Sequence, residues 1–158
     1  MQLHVMVTYE GPVPGTANLR PRQWNNVLKD AWRAMGEYWL RWYLPKHFTK
    51  AGAVEYGYLP REPNYNRQKH YKPPLVNSGE LRSEAPRAAW IQPTHTGCRV
   101  VLPGAKKANF RPTCGLIDMR EELETVSEAE QVQLARVHEQ HVINRLAKIS
   151  YISRRRFS

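Results

Sequence analysis

Residues 21–43 read PRQWNNVLKDAWRAMGEYWLRWY, and this stretch decides the fold. Its apolar residues recur at three- and four-residue spacing, and charged residues stand between them. Pro21 suits the first turn of a helix, where its missing N–H is not needed, and Thr16 or Asn18 nearby can help to cap it. The pattern predicts an amphipathic helix of about six turns that reaches Pro45 at the latest.

Four tryptophans lie on this predicted helix, and they give it a wide apolar face. Trp32 and Trp39 fall at the centre of the stripe and are predicted to lie in the core. Trp24 and Trp42 flank it, and for them both core packing and contact with another subunit stay open.

The composition indicates one globular domain that favours acidic partners. The chain has 158 residues and 41% hydrophobic content, enough to bury roughly two-thirds of its unfolded-chain surface. Its 24 Lys and Arg against 14 Asp and Glu give a formal charge of +10, which favours polyanions or acidic protein surfaces. Neither a signal-peptide pattern nor an apolar run near the roughly 20 residues of a membrane span is present, so cytosolic synthesis without membrane contact is expected. Two cysteines, Cys98 and Cys114, fit a reducing compartment.

Three further elements complete the predicted α+β fold. Residues 2–9, QLHVMVTY, alternate between apolar and polar and predict a half-buried strand. Two short apolar runs, 87–92 and 98–102, are joined by a glycine-containing connection and predict a β-hairpin. Ser127 and Glu130 have capping-box spacing and predict the start of a C-terminal helix.

We therefore predict a single α+β domain over residues 1–150. A small antiparallel or mixed sheet packs with the long N-terminal helix and with the C-terminal helix. Residues 151–158, which include Arg154, Arg155 and Arg156, are predicted to form a basic tail.

Residues 46–74 predict a long surface loop that is rich in aromatic and basic residues. Such a mixture is typical of subunit interfaces, which we favour, and also of surfaces that stack on bases and pair with phosphates. The candidates for a subunit interface are Trp24, Trp42, Tyr56, Tyr58, Arg61, Tyr65 and Arg67. The candidates for contact with DNA or an acidic protein surface are Lys69, Lys72 and, from a second basic loop at 105–111, Lys106, Lys107 and Arg111.

Residues 74–84, PLVNSGELRSE, are predicted to be a structural joint. Asn77 and Glu80 have capping-box spacing, and apolar residues on both sides of the cap can pin the chain to the core. The stretch predicts a helix of one or two turns that ends near Pro86 and leads into the hairpin. The residues of the motif are Leu75, Val76, Asn77, Ser78, Gly79 and Leu81.

Catalytic and metal-binding motifs do not stand out from chance. His138 and His141 are spaced i,i+3 rather than the i,i+4 of a zinc-protease helix, and solvated or interface histidines are expected. His95, Cys98 and Cys114 lack the paired CxxC spacing of a zinc site. The sequence has no P-loop, no dinucleotide-binding glycine motif and no GxSxG elbow. Neither an enzymatic activity nor a cofactor is expected.

Residues 72–82, KPPLVNSGELR, resemble the PLv-x-[ST]-G-x-L-r signature of tailed-phage tail-completion, neck and virion-morphogenesis proteins. The basic aromatic segment at 58–72 and the entry to the last helix at 118–130 are also similar to those proteins. The resemblance implies a structural protein at the head–tail junction, a mixed α/β domain that works as a ring and has no catalytic residues. Its implied location is the virion, and its implied partners are further copies of itself and portal, adaptor or tail-tube proteins.

Two other functions stay open at this point. The basic loops also suit a protein that binds nucleic acid without sequence preference, through phosphates. A small hydrolase or metalloprotein would use His138, His141 and the cysteines. In the ring, which needs two different contact faces on each subunit, the basic loops would touch acidic neighbouring proteins or the packaged DNA.

Overall fold

A computed structural model describes residues 19–59, 75, 79–102 and 119–155 of the chain. These residues are mostly helical and include a small antiparallel sheet, which confirms the predicted α+β fold. The elements in chain order are α1 (Pro21–Trp42), a 3₁₀ helix (Leu44–Phe48), α2 (Lys50–Glu55), α3 (Glu80–Ala88), β1 (Trp90–Pro93), β2 (Cys98–Val101), α4 (Met119–Glu124) and α5 (Glu128–Arg155). The predicted strand at 2–9 and the second basic loop at 105–111 lie outside the described residues.

Helix α1 begins and ends where the sequence predicts. Pro21 is its first residue. The backbone N–H of Arg20, the residue before the helix, donates to Gln23 Oε1 at 2.9 Å, so a glutamine side chain satisfies this N–H group. The suggested caps Thr16 and Asn18 lie outside the described residues. The side chains of Trp32 and Trp39 are buried, which confirms both as core residues.

Helix α5 packs antiparallel against α1, and it starts with the predicted capping box. The backbone N–H of Ser127 donates to Glu130 Oε2, and that of Glu130 donates to Ser127 Oγ, both at 3.3 Å. Near the other end of α5, Arg145 Nη2 donates to Asp30 Oδ2 of α1 at 2.8 Å. The helix continues to Arg155, so the prediction of a separate tail from residue 151 is wrong for the residues up to that point.

Among the described residues, the buried side chains form two core clusters along the α1–α5 pair. The larger one joins the second half of α1 to the 3₁₀ helix, the hairpin, α3, α4 and the start of α5. The smaller one lies between the first half of α1 and the second half of α5. Its buried members are Val27, Ala31, Val142 and Leu146. Burial of Val27, Val142 and Leu146 supplies roughly 1.5–3 kcal/mol each before entropy is counted.

The predicted hairpin is confirmed, and it packs on α1 through a glycine. Strands β1 and β2 pair antiparallel, with Ile91 opposite Val100 on the buried face. A Cβ added to Gly36 of α1 would lie 3.1 Å from Ile91 Cγ2 and 3.5 Å from Cys98 Sγ. The missing side chain therefore lets the helix approach the sheet closely.

The joint at 74–84 holds the chain to the core as predicted, but its helix starts later. Leu75 and Leu81 are both buried in the larger cluster. The N-cap of α3 is Gly79, at φ 82°, a left-handed conformation that glycine adopts without strain, and not Asn77. Asn77 itself lies outside the described residues, with Val76 and Ser78. Helix α3 extends past Pro86 to Ala88.

The prediction of a continuous loop over 46–74 is wrong for its first part. Residues 44–55 form the 3₁₀ helix and α2, and Phe48 and Ala53 are buried. Thr49 caps α2, because its Oγ1 accepts from the backbone N–H of Gly52 at 2.9 Å. Residues 60–74 lie outside the described part of the chain.

Candidate interaction site at the end of helix α1

The structure describes four of the seven predicted interface residues, and it separates them. Trp42 is 54% exposed, whereas Trp24 is half-buried against the smaller core cluster. Tyr56 is buried and Tyr58 is half-buried. The other predicted interface and basic contact residues lie outside the described residues: Arg61, Tyr65, Arg67, Lys69, Lys72, Lys106, Lys107 and Arg111.

Three aromatic side chains meet at the end of α1, and we call Tyr38, Trp42 and Tyr43 the terminal aromatic cluster. The ring of Tyr38 lies 6.3 Å from that of Trp42 and 5.8 Å from that of Tyr43, between ring centroids. Tyr38 and Trp42 are one helical turn apart, so α1 itself aligns them. These separations fall in the range of favourable aromatic pairs. The cluster is therefore a preformed aromatic surface rather than one loose side chain.

Two cations lie over this cluster. The guanidinium carbon of Arg41 is 5.2 Å from the centroid of the Trp42 ring, and Lys46 Nζ is 4.9 Å from that of Tyr43. Contacts of this kind are worth about 0.5–1 kcal/mol at exposed sites. Lys46 also forms an ion pair with Glu55 of α2, with Nζ and Oε1 3.4 Å apart. The surface consequently combines flat aromatic area with positive charge.

Beneath this surface, Tyr56 joins α2 to α5 rather than to another subunit. Its hydroxyl donates to Glu130 Oε1, and both residues are buried. Its ring stacks on His47 at 4.0 Å between centroids, with 4° between the planes. The placement of Tyr56 on a surface loop is therefore wrong, because its phenol is occupied inside the fold.

Tyr58 makes a second connection, to α4. Its hydroxyl donates to the carbonyl oxygen of Glu122 at 2.9 Å and contacts His47 Nδ1. Since the Tyr58 proton goes to that carbonyl, its oxygen accepts from His47 Nδ1–H, which assigns the proton of the neutral imidazole to Nδ1. This connection holds Tyr58 half inside the fold and leaves only part of the side chain for contacts outside it.

Burial sets the electrostatics of this network. It lowers the pKa of His47 to about 4, although the Glu122 carbonyl partly opposes the shift. It raises the pKa of Glu130, while the hydrogen bond from Tyr56 acts in the opposite direction. The pKa of the Tyr56 phenol is also raised, first by burial and then by Glu130. His47 is thus neutral at pH 7 and Tyr56 keeps its proton.

The two helical histidines are not a matched pair. His138 is buried with its ring 4.4 Å from that of Trp32, and burial lowers its pKa to about 4. The expectation of a solvated or interface histidine is therefore wrong for His138. His141 is half-buried.

The remaining candidates for metal or thiol chemistry lie apart. Within residues 19–59, 75, 79–102 and 119–155, no three His, Cys, Asp or Glu side chains are grouped to hold a metal ion. Cys98 is buried, and burial raises the pKa of its thiol to about 11. Such a thiol is a poor nucleophile, because the reactive form is the thiolate. His95 is exposed in the hairpin connection, and Cys114 lies outside the described residues.

This chain matches no protein-family model, and no curated protein or solved structure is significantly similar to it. Among its described helices, none is both long and apolar enough to cross a membrane.

Several residues of the site escape a reading of the sequence. Tyr38 and Tyr43 belong to the predicted helix, but their contacts with Trp42 depend on how α1 ends. The i,i+4 spacing of Tyr38 and Trp42 is the signal that points to this pair. Lys46 and His47 stand in a stretch without periodicity, so nothing in the sequence separates the half-buried lysine from the fully buried histidine.

Proposed function

We propose that this chain is a structural virion protein of a tailed bacteriophage. In this proposal it forms a ring at the head–tail junction and joins the capsid connector to the tail. The observation that carries the proposal is the terminal aromatic cluster, in which exposed Trp42 lies against half-buried Tyr38 and two cations contact the rings. Tryptophan, tyrosine and arginine are the side chains that dominate binding energy at protein interfaces. The assignment to a phage rests on the resemblance of residues 72–82.

The described part of that motif supports a structural role. Leu75 and Leu81 are buried together in the larger core cluster, and Gly79 adopts the left-handed conformation at the start of α3. The two leucines supply the apolar side chains that pack in the core, and Gly79 supplies the left-handed backbone conformation. The motif thus fixes the chain next to the core and leads directly into the hairpin.

The buried network beneath the cluster supports a rigid contact surface. Tyr56 connects α2 to α5, and Tyr58 connects the same segment to α4. Lys46, which lies over Tyr43, belongs to the 3₁₀ helix held by this network. Residues held in place before binding lose less conformational entropy on association. A surface built in this way favours assembly.

Co-purification tests this proposal. The chain is expressed with the portal, adaptor and tail-tube proteins of the same genome, and complexes are quantified by native mass spectrometry and electron microscopy. We expect rings or complexes with those proteins, and a loss of at least about ten-fold in assembly for Trp42→Ala. The matched control is Trp90→Ala, because Trp90 is 48% exposed but lies on the hairpin. Equal assembly of both variants, or no assembly of the wild type, contradicts the proposal.

A second candidate function is binding of nucleic acid without sequence preference. The contact of Arg41 with the exposed Trp42 ring favours it, since bases stack on such rings and phosphates pair with arginine. The net charge of +10 also favours binding to a polyanion such as DNA. If this function is correct, the purified chain binds free duplex DNA, and the logarithm of its affinity falls steeply with the logarithm of the salt concentration. A connector binds free DNA weakly over the same range of salt.

A further inference from the structure

Helix α5 carries a second exposed surface, far from the terminal aromatic cluster in sequence. Val132 is 53% exposed and Ile143 is 48% exposed. Arg136 and Glu139 stand between them and are exposed as well. With about 100° of rotation per residue, these four side chains fall within an arc of roughly 60° and form one stripe. We call these four residues the α5 stripe.

The order of residues in the α5 stripe is self-complementary. Val132 and Ile143 lie at equal distances on either side of the point between residues 137 and 138, and so do Arg136 and Glu139. If two copies of the helix run antiparallel about that point, Val132 faces Ile143 of the second copy and Arg136 faces its Glu139. An isolated exposed aliphatic residue needs no explanation on a protein surface. In the α5 stripe, one two-fold rotation places an apolar side chain opposite an apolar one and a cationic side chain opposite an anionic one.

We propose that α5 pairs antiparallel with α5 of a second copy of this chain, across a two-fold axis between residues 137 and 138. The contact consists of two Val132–Ile143 pairs and two Arg136–Glu139 pairs. A two-fold contact uses the same face on both copies and closes at two, whereas a ring needs two different faces. The dimer therefore goes beyond the proposed ring and does not rest on it.

The size of the stripe sets the expected strength of this contact. From residue 132 to residue 143 the helix advances only about 16 Å. One pair of helices over that length buries less than the roughly 1,200 Å² of a standard stable interface and belongs with weak, transient contacts. The dimer should therefore form in a concentration-dependent way and leave the monomer populated in dilute solution. Opposite charges across the axis fix the orientation and register of the two helices.

Charge reversal tests the pairing. Sedimentation of the full chain over a roughly hundred-fold range of concentration gives the dimer dissociation constant. Arg136→Glu places two carboxylates opposite each other in each pair, and we expect association to weaken at least about ten-fold. Glu139→Arg has the same effect, and the double variant Arg136→Glu/Glu139→Arg returns association to within about three-fold of the wild type. The matched control is Lys148→Glu, the same charge change at an exposed position of α5 away from the stripe.

Three sedimentation results overturn the pairing. The first is a wild type that stays monomeric at every concentration, which would mean that something else covers the stripe or that nothing does. The second is a wild type that associates while the single reversals leave its association unchanged. The third is a double variant that associates as weakly as the single variants.

Cysteine cross-linking tests the orientation. With Cys114 replaced by serine, two chains are made, one carrying Val132→Cys and the other Ile143→Cys. A mixture of them should form a disulfide-linked dimer under mild oxidation. Each chain alone should not, because identical positions lie about 16 Å apart, beyond the roughly 7 Å limit between Cα atoms. Efficient cross-linking of either chain with itself, or none in the mixture, overturns the antiparallel register.

Discussion

Two histidines that are buried in the described part of the chain predict that acid destabilises this protein. His47 and His138 contact different tryptophans of α1, Trp39 and Trp32 respectively, and burial lowers the pKa of each to about 4. In the unfolded chain the same groups titrate near a pKa of about 6.5. Between about pH 6.5 and pH 4 the unfolded state therefore binds protons that the folded state does not, and the free energy of unfolding falls as the pH falls.

The size of the effect follows from these values. A group with a pKa near 4 in the folded state and about 6.5 in the unfolded state removes about 2 kcal/mol of stability between pH 7.5 and pH 5. The two histidines together remove about 4 kcal/mol. Glu130 acts in the opposite direction, because burial raises its pKa and its folded form gains a proton at higher pH than its unfolded form. The net loss is therefore somewhat smaller.

Urea unfolding followed by tryptophan fluorescence at pH 7.5, 6 and 5 measures this loss. Replacement of one histidine by a residue that does not titrate, His138→Leu, should reduce the loss between pH 7.5 and pH 5 by about 2 kcal/mol, whatever it does to stability at pH 7.5. The matched control is the same substitution at an exposed site, His95→Leu in the hairpin connection. A wild type equally stable at pH 7.5 and pH 5, or a His138→Leu variant with the wild-type dependence, refutes the reasoning.

Two further changes test the segment between α1 and α3. Gly52→Ala places a Cβ 2.0 Å from the carbonyl oxygen of Lys46 and should lower the free energy of unfolding in urea by at least about 2 kcal/mol. The control is Gly97→Ala, whose Cβ meets no atom within 4 Å and which should change that free energy by less than about 0.5 kcal/mol. Similar values for both variants would contradict the close packing at Gly52. Tyr56→Phe removes a hydrogen bond to buried Glu130 and should cost about 1–3 kcal/mol. Because that bond lowers the pKa of Glu130, the cost should be larger at pH 8 than at pH 5, and a cost independent of pH would disprove the link.

The sequence predicts the elements whose signals are local. Pro21, the tryptophan spacing and Pro45 bound α1, and the box of Ser127 and Glu130 starts α5. The hairpin follows from two apolar runs and a glycine between them. The tryptophans of α1 and the capping box of α5 also make contacts that stabilise these helices, so the pattern and the structure agree there.

The 3₁₀ helix and α2 could not be predicted in the same way. Elements of five and six residues are too short to show a period, and tertiary contacts hold them in place. The stacking of His47 on Tyr56 and the bond from Tyr56 to Glu130 depend on tertiary packing, which no local pattern reveals. His138 is a different case. It lies one turn from buried Leu134 and Val142, and only its polar side chain argued against the core position that its spacing indicates.

The packing of α1 against α5 has a consequence for the order of folding. Asp30 and Arg145, which pair across these helices, are 115 residues apart in the chain. Synthesis proceeds from the N-terminus, so α1 leaves the ribosome long before its partner exists. Until α5 follows, the face of α1 that carries Val27 and Ala31 lacks the surface that covers it in the folded protein. Completion of the smaller core cluster therefore waits for the synthesis of α5, and contacts this distant in sequence make folding slow.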